Sequence, residues 1–213
     1  MVSRPYTARE ELLNVATHAG GIVASLIALC WLVAAATRDG DVRRVIGGAA
    51  FGIAAVLLFG ASTLYHAFTR PSAKTALRKI DHCAIYVLIA STYTAFTLSV
   101  MRDRVGWALF AAVWVLAALG IAAEFRQRDR KPLTASLLYV LMGWIGLLTI
   151  RELTVSLTGT ELWWVVAGGV CYTAGVPFYV AKSRPYSHCV WHLFVLAGVA
   201  CHFVAVLGVM HAS

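Results

Sequence analysis

Residues 189–210 read CVWHLFVLAGVACHFVAVLGVM, twenty-two residues without a single Asp, Glu, Lys or Arg. A helix rises about 1.5 Å per residue, so this stretch is long enough to cross a hydrocarbon layer about 30 Å thick. Only backbone that satisfies its own hydrogen bonds is stable there, which makes the stretch a helix. Six more segments pass the same test, at 16–36, 45–65, 82–101, 105–123, 133–150 and 162–181. The sequence therefore predicts an all-α, polytopic membrane protein, one domain over residues 1–213 built as a bundle of seven transmembrane helices.

Composition leads to the same class. Of 213 residues, 60% are hydrophobic and only 13% charged, and the mean hydropathy is +0.76. A water-soluble domain of this length needs about a quarter of its residues charged to coat its surface. The gaps between spans are short and hold nearly all the charge, which leaves no room for a soluble domain. No Gly/Ser linker or solenoid repeat appears, and residues 1–14 are too polar for a cleavable signal, so the first span is expected to act as its own.

Orientation follows from the Lys and Arg count on alternate sides of the spans, because cytoplasmic loops retain positive charge. The N-terminal side carries twelve: Arg4, Arg9, Arg70, Lys74, Arg78, Lys79, Arg126, Arg128, Arg130, Lys131, Lys182 and Arg184. The other side carries six: Arg38, Arg43, Arg44, Arg102, Arg104 and Arg151. The N-terminus is therefore expected in the cytoplasm and the C-terminus outside. The net charge of +8 then reflects basic loops beside anionic headgroups, and no nucleic-acid partner is implied. Cys30, Cys83, Cys171, Cys189 and Cys201 stand singly in or beside apolar spans, so a disulfide framework is not expected.

Ionisable groups at membrane depth cost several kcal/mol unless partnered, so the few present point to function. His66 closes the second span, with Ser62 four residues earlier on the same helical face. Asp81 opens the third span. His188 and His192 begin the seventh, and their i, i+4 spacing directs both imidazoles to one side, about 6 Å apart. All of these positions fall on the N-terminal side of the membrane, as a shared site requires. Three histidines and a nearby carboxylate suit Zn²⁺, with His66, His188 and His192 as ligands. Asp81 would orient a water and act as general base, and Ser62 would support it from the outer shell.

Other polar residues receive lesser roles. His18 and Asn14 lie near enough to join the polar network, and His82, one residue past Asp81, points about 100° away and is expected to pack against a neighbouring helix. His202 and His211 are too deep or on the wrong side for the site. Glu124 and the basic run after it are expected to form a solvated loop. Gly168, Gly169 and Gly175, with Pro177, predict a close helix approach and a bend in the sixth span.

At these residues the chain resembles the hemolysin III proteins, grouped with the progestin and adipoQ receptor family that includes the adiponectin receptors. The resemblance rests on Glu10, Glu11, Asn14, Thr17, His18 and Gly20 or Gly21, on Ser62 to His66, on Lys79 to His82 followed by Ile85 and Tyr86, and on Ser187, His188 and His192. It implies seven helices, a cytoplasmic N-terminus, zinc on His66, His188 and His192, and Asp81 beside the zinc-bound water. A wider kinship with alkaline ceramidases implies a zinc-dependent hydrolase of lipid amides or esters, its substrate entering from the bilayer, and the family resemblance implies an influence on membrane lipid homeostasis. The short loops and compact termini favour a bacterial inner membrane. Two alternatives are a receptor-like sensor of membrane state with a structural zinc, and the cytolytic pore-former of the family name. The soluble zinc-protease pattern HExxH is absent.

Overall fold

The computed structural model describes residues 5–38, 40–126, 132–181 and 183–211. Arg4, Arg128, Arg130, Lys131 and Lys182 of the charge count lie outside these residues. The helices are α1 (Ala8–Ala36), α2 (Val42–Ala67), α3 (Pro71–Ser99), α4 (Arg104–Arg126), α5 (Pro132–Gly143), α6 (Ile150–Ser156), α7 (Gly159–Val180) and α8 (Ser187–Met210), with a 3₁₀ turn Ile145–Thr149 joining α5 to α6. No strand occurs among the described residues. Among the described residues, seven units are long and apolar enough to cross a membrane, α5, the 3₁₀ turn and α6 together making the fifth. Their outward faces are apolar: Leu148 and Val155 are 84% and 83% exposed, an arrangement water would penalise and lipid does not.

Two helices begin well before the hydropathic spans. α1 starts at Ala8 because Thr7 and Glu10 form a reciprocal capping box, a device that contributes about 1 kcal/mol. α3 starts at Pro71, where the ring's fixed φ suits a first helical position, so Asp81 sits nearly three turns inside a helix rather than at its opening. These extensions carry Glu10, Glu11, Lys74, Arg78 and Lys79 beyond the apolar windows, on the end of the bundle where the histidines gather.

α2 and α3 occupy the centre, with 56% and 61% of their spanning windows buried against 17% for α7. Small residues set the helix spacing, since hydrocarbon provides no hydrophobic force between helices and close van der Waals packing must replace it. A Cβ on Gly52 would lie 2.8 Å from Leu29 of α1, and one on Gly168 would lie 2.2 Å from the His202 ring of α8. The close approach expected at Gly168, Gly169 and Gly175 is thus present: their neighbours are His202, Trp144 and Trp191.

The fifth span is broken, where an unbroken helix over 133–150 was expected. The Tyr93 hydroxyl explains why the break is tolerated: it donates to the Gly143 carbonyl at 2.6 Å and accepts from the Gly146 amide at 3.0 Å, taking up backbone groups that a helix would have paired internally. On the far side of the bundle, Asp41 caps α2 and pairs with Arg102 between α3 and α4. The Arg102 guanidinium holds the Asp41 carboxyl below the usual carboxylate range. A depressed carboxyl pKa stabilises the fold at neutral pH, and that contribution fades as pH falls through the lowered value.

Candidate metal centre

α2 ends and α8 begins on the same end of the bundle, and this brings His66 against His188 and His192. One donor atom from each lies within 4.8 Å of the others, and His66 Nε2 stands 3.1 Å from His188 Nε2. His66 and His192 are buried and His188 is half-buried. A tetrahedral zinc with Zn–N bonds of about 2.05 Å holds its nitrogens about 3.3 Å apart, so the donor set and its spacing fit the ion.

The rings are oriented from behind by α1. His66 Nδ1 donates to Glu11 Oε2 at 2.6 Å. His192 Nδ1 lies 3.1 Å from the Thr17 hydroxyl. That hydroxyl already directs its hydrogen to the carbonyls of Leu13 and Asn14, so it accepts from the imidazole. In both rings the Nδ1 proton is thereby directed outward and Nε2 is left to accept, the arrangement by which outer acceptors fix the tautomer of a metal-binding histidine. Lys74 of α3 binds the other Glu11 oxygen at 2.5 Å and ties three helices to this one carboxylate. Tyr6 stacks on the His188 ring, centroids 5.3 Å apart and planes 28° apart. Glu10 accepts from the Tyr186 amide at 2.8 Å, fastening the start of α1 to the turn before α8. Glu11→Ala is expected to lower metal affinity about 10–100-fold in competition with a chelator, and unchanged affinity would remove Glu11 from the centre.

Ser62 lies one turn before His66 on α2, its hydroxyl within hydrogen-bonding reach of the Asp81 carboxylate on α3. Both line a cavity of about 160 Å³ together with His188 and His192. The cavity wall follows α3 from Asp81 to Phe96, about 22 Å of helix, and away from the histidines it is formed largely by side chains such as Leu88, Phe96, Leu109 and Leu153. Four of the five residues singled out as a site, Ser62, Asp81, His188 and His192, therefore line one cavity, and His66 stands beside them against His188. His18 joins them: its ring stacks on His192, centroids 3.6 Å apart.

Two expectations about the neighbours resolve differently. His82 does pack against other helices, lying 3.4 Å from Glu124 Oε2 and 3.4 Å from the Tyr179 hydroxyl. Glu124, expected in a solvated loop, is instead 6% exposed within α4. The helix runs on to Arg126, and the carboxylate turns inward because His82 offers it a partner there. His202 bonds the Val165 carbonyl at 3.1 Å and His211 the Leu207 carbonyl at 2.9 Å, both structural. The five cysteines are free thiols.

Glu11, Thr17 and Tyr6 were not assigned roles from sequence. The signal for the first two was present: Glu11, Asn14, Thr17 and His18 recur at helical spacing, a polar stripe that continues the first span.

The profile of the family described as "Haemolysin-III related" matches residues 6–203. A "Hemolysin-3 homolog" of Bacillus subtilis (strain 168) is 38% identical over 202 residues, 95% of each chain. "Hemolysin-3" of Bacillus cereus is 37% identical over 199 residues, 93% of this chain and 91% of its own. The human "Monocyte to macrophage differentiation factor" is 26% identical over 220 residues, 97% of this chain and 87% of its own.

Proposed function

We propose, for a chain that belongs to the haemolysin-III related family and is a multi-pass integral membrane protein, that it is a zinc-dependent hydrolase of lipid amides or esters with its N-terminus in the cytoplasm, serving membrane lipid homeostasis. One observation carries the reading: three converging imidazole donors stand beside a Ser62–Asp81 pair at the polar end of an otherwise apolar cavity.

His66, His188 and His192 would hold the ion. When bound, zinc acidifies a water and polarises a carbonyl. Asp81 accepts the proton of the attacking water, and Ser62 steadies its carboxylate during the transfer. As the acyl carbon gains its new C–O bond and the C–N bond breaks, Asp81 returns the proton to the departing nitrogen. The apolar cavity wall takes the acyl chain, and Tyr6 limits entry of bulk water. The twelve basic residues on the N-terminal side support the orientation.

A structural zinc in a sensor of membrane state is the second reading, favoured by the way the donors join α2 to α8 and Glu11 joins both to α3. The lytic pore suggested by the relatives' names finds less support, because a water-filled channel needs a polar wall and the wall of this cavity is mainly apolar. The test is turnover of a panel of N-acyl lipid amides and esters by purified protein. Hydrolysis should vanish on chelation and return with zinc; a zinc-loaded protein inert toward the whole panel overturns the hydrolase.

A further inference from the structure

His18 is left without a task by the centre described above. It is 3% exposed, and neither ring nitrogen has a hydrogen-bond partner. The main chain of His192 comes near without reaching hydrogen-bond geometry. Its donor atoms do not fall within the group formed by His66, His188 and His192, so it is a neighbour of the centre and no fourth member. Its ring is held by stacking on His192 at 3.6 Å and by an edge contact with Phe59 at 5.0 Å. It also lines the cavity, on the same stretch of wall as Ser62, Asp81 and His192.

Burying a polar group with no partner is costly, and native proteins seldom leave buried polar atoms unsatisfied. An imidazole offers at least one N–H donor whichever nitrogen carries the proton. Its ring contacts are His192 and Phe59, and it faces the cavity, where a ligand can bring the missing acceptor. The acyl carbonyl of a lipid amide is such an acceptor.

We infer that His18 is the specificity residue of the cavity, donating a hydrogen bond to the carbonyl oxygen of a lipid carboxamide and so selecting amide lipids over bare hydrocarbon chains. The inference rests on the hydrolase reading for the identity of the ligand class, but binding alone can test it. Dodecanamide is the probe and dodecane the apolar control, both titrated into zinc-loaded protein carrying Asp81→Asn so that nothing is consumed. His18→Phe, which retains a stacking ring, should bind dodecanamide about tenfold more weakly, with dodecane unchanged and zinc content intact. His18→Gln, which keeps an N–H donor, should stay within about threefold of the parent.

Unchanged amide binding in His18→Phe overturns the inference, and so does an equal loss for amide and hydrocarbon, which would make His18 a packing residue. A third readout needs no substitution at His18. In protein labelled with ¹⁵N-histidine, the His18 imidazole resonance should move with dodecanamide and stay fixed with dodecane; a resonance that ignores the amide is equally fatal. Amide binding that depends on His18 in a wild-type protein without hydrolysis would sink the hydrolase and leave this assignment standing.

Discussion

Replacing His188 with alanine is expected to empty the metal centre while the seven helices stay in place. Elemental analysis of detergent-purified protein should find about one zinc per chain in the wild type and less than about 0.1 in the variant, since a three-histidine site deprived of one imidazole loses its chelate geometry. The double variant His66→Ala, His192→Ala should behave the same way, because the donors act as one set drawn from two helices. Chelation should lower the melting temperature of the wild type and leave the variants unmoved, as binding to the folded state alone demands. Zinc retained at full occupancy in both variants would mean that the imidazoles merely pack. No metal in wild-type protein even after zinc is supplied would remove the hydrolase and the zinc-dependent sensor together.

Asp81→Asn separates those two readings. The substitution keeps size and removes the proton acceptor, and Asp81 is not among the converging donors. Zinc should stay at about one per chain while turnover of a lipid amide falls by about 1,000-fold or more, within the range a general base supplies. Ser62 remains able to bond the asparagine, so the wall of the cavity should keep its shape. Hydrolysis that survives would take the proton transfer away from Asp81. A variant that loses its zinc or its fold instead would favour the structural zinc, in which the carboxylate acts by holding α2 and α3 together.

The seven crossings were legible because lipid imposes a simple rule of length and polarity, one that residues 189–210 satisfy by themselves. Ser62, His66, Asp81, His188 and His192 were legible for a related reason: an ionisable or metal-binding group in an apolar run needs a partner, and helical spacing puts Ser62 with His66 and His188 with His192. Glu124 was misread because the basic run after it resembles a loop, and only the position of His82 across the helix pair accounts for its burial. The break in the fifth span was invisible because hydropathy does not register where backbone hydrogen bonds go, and the group that satisfies them, Tyr93, lies on another helix.

Local spacing and membrane sidedness, both properties of single segments, thus determined from sequence alone that this chain has seven spans and that its unusual polar residues share one end. Tertiary structure alone decided that His66 and His188 meet at 3.1 Å, that Glu11 and Thr17 take the outer protons of His66 and His192, and that His18 faces the cavity unpartnered. These contacts join residues as far as 175 positions apart. They depend on how closely glycines such as Gly52 let neighbouring helices approach, a three-dimensional fit that no periodicity along one strand of sequence can express.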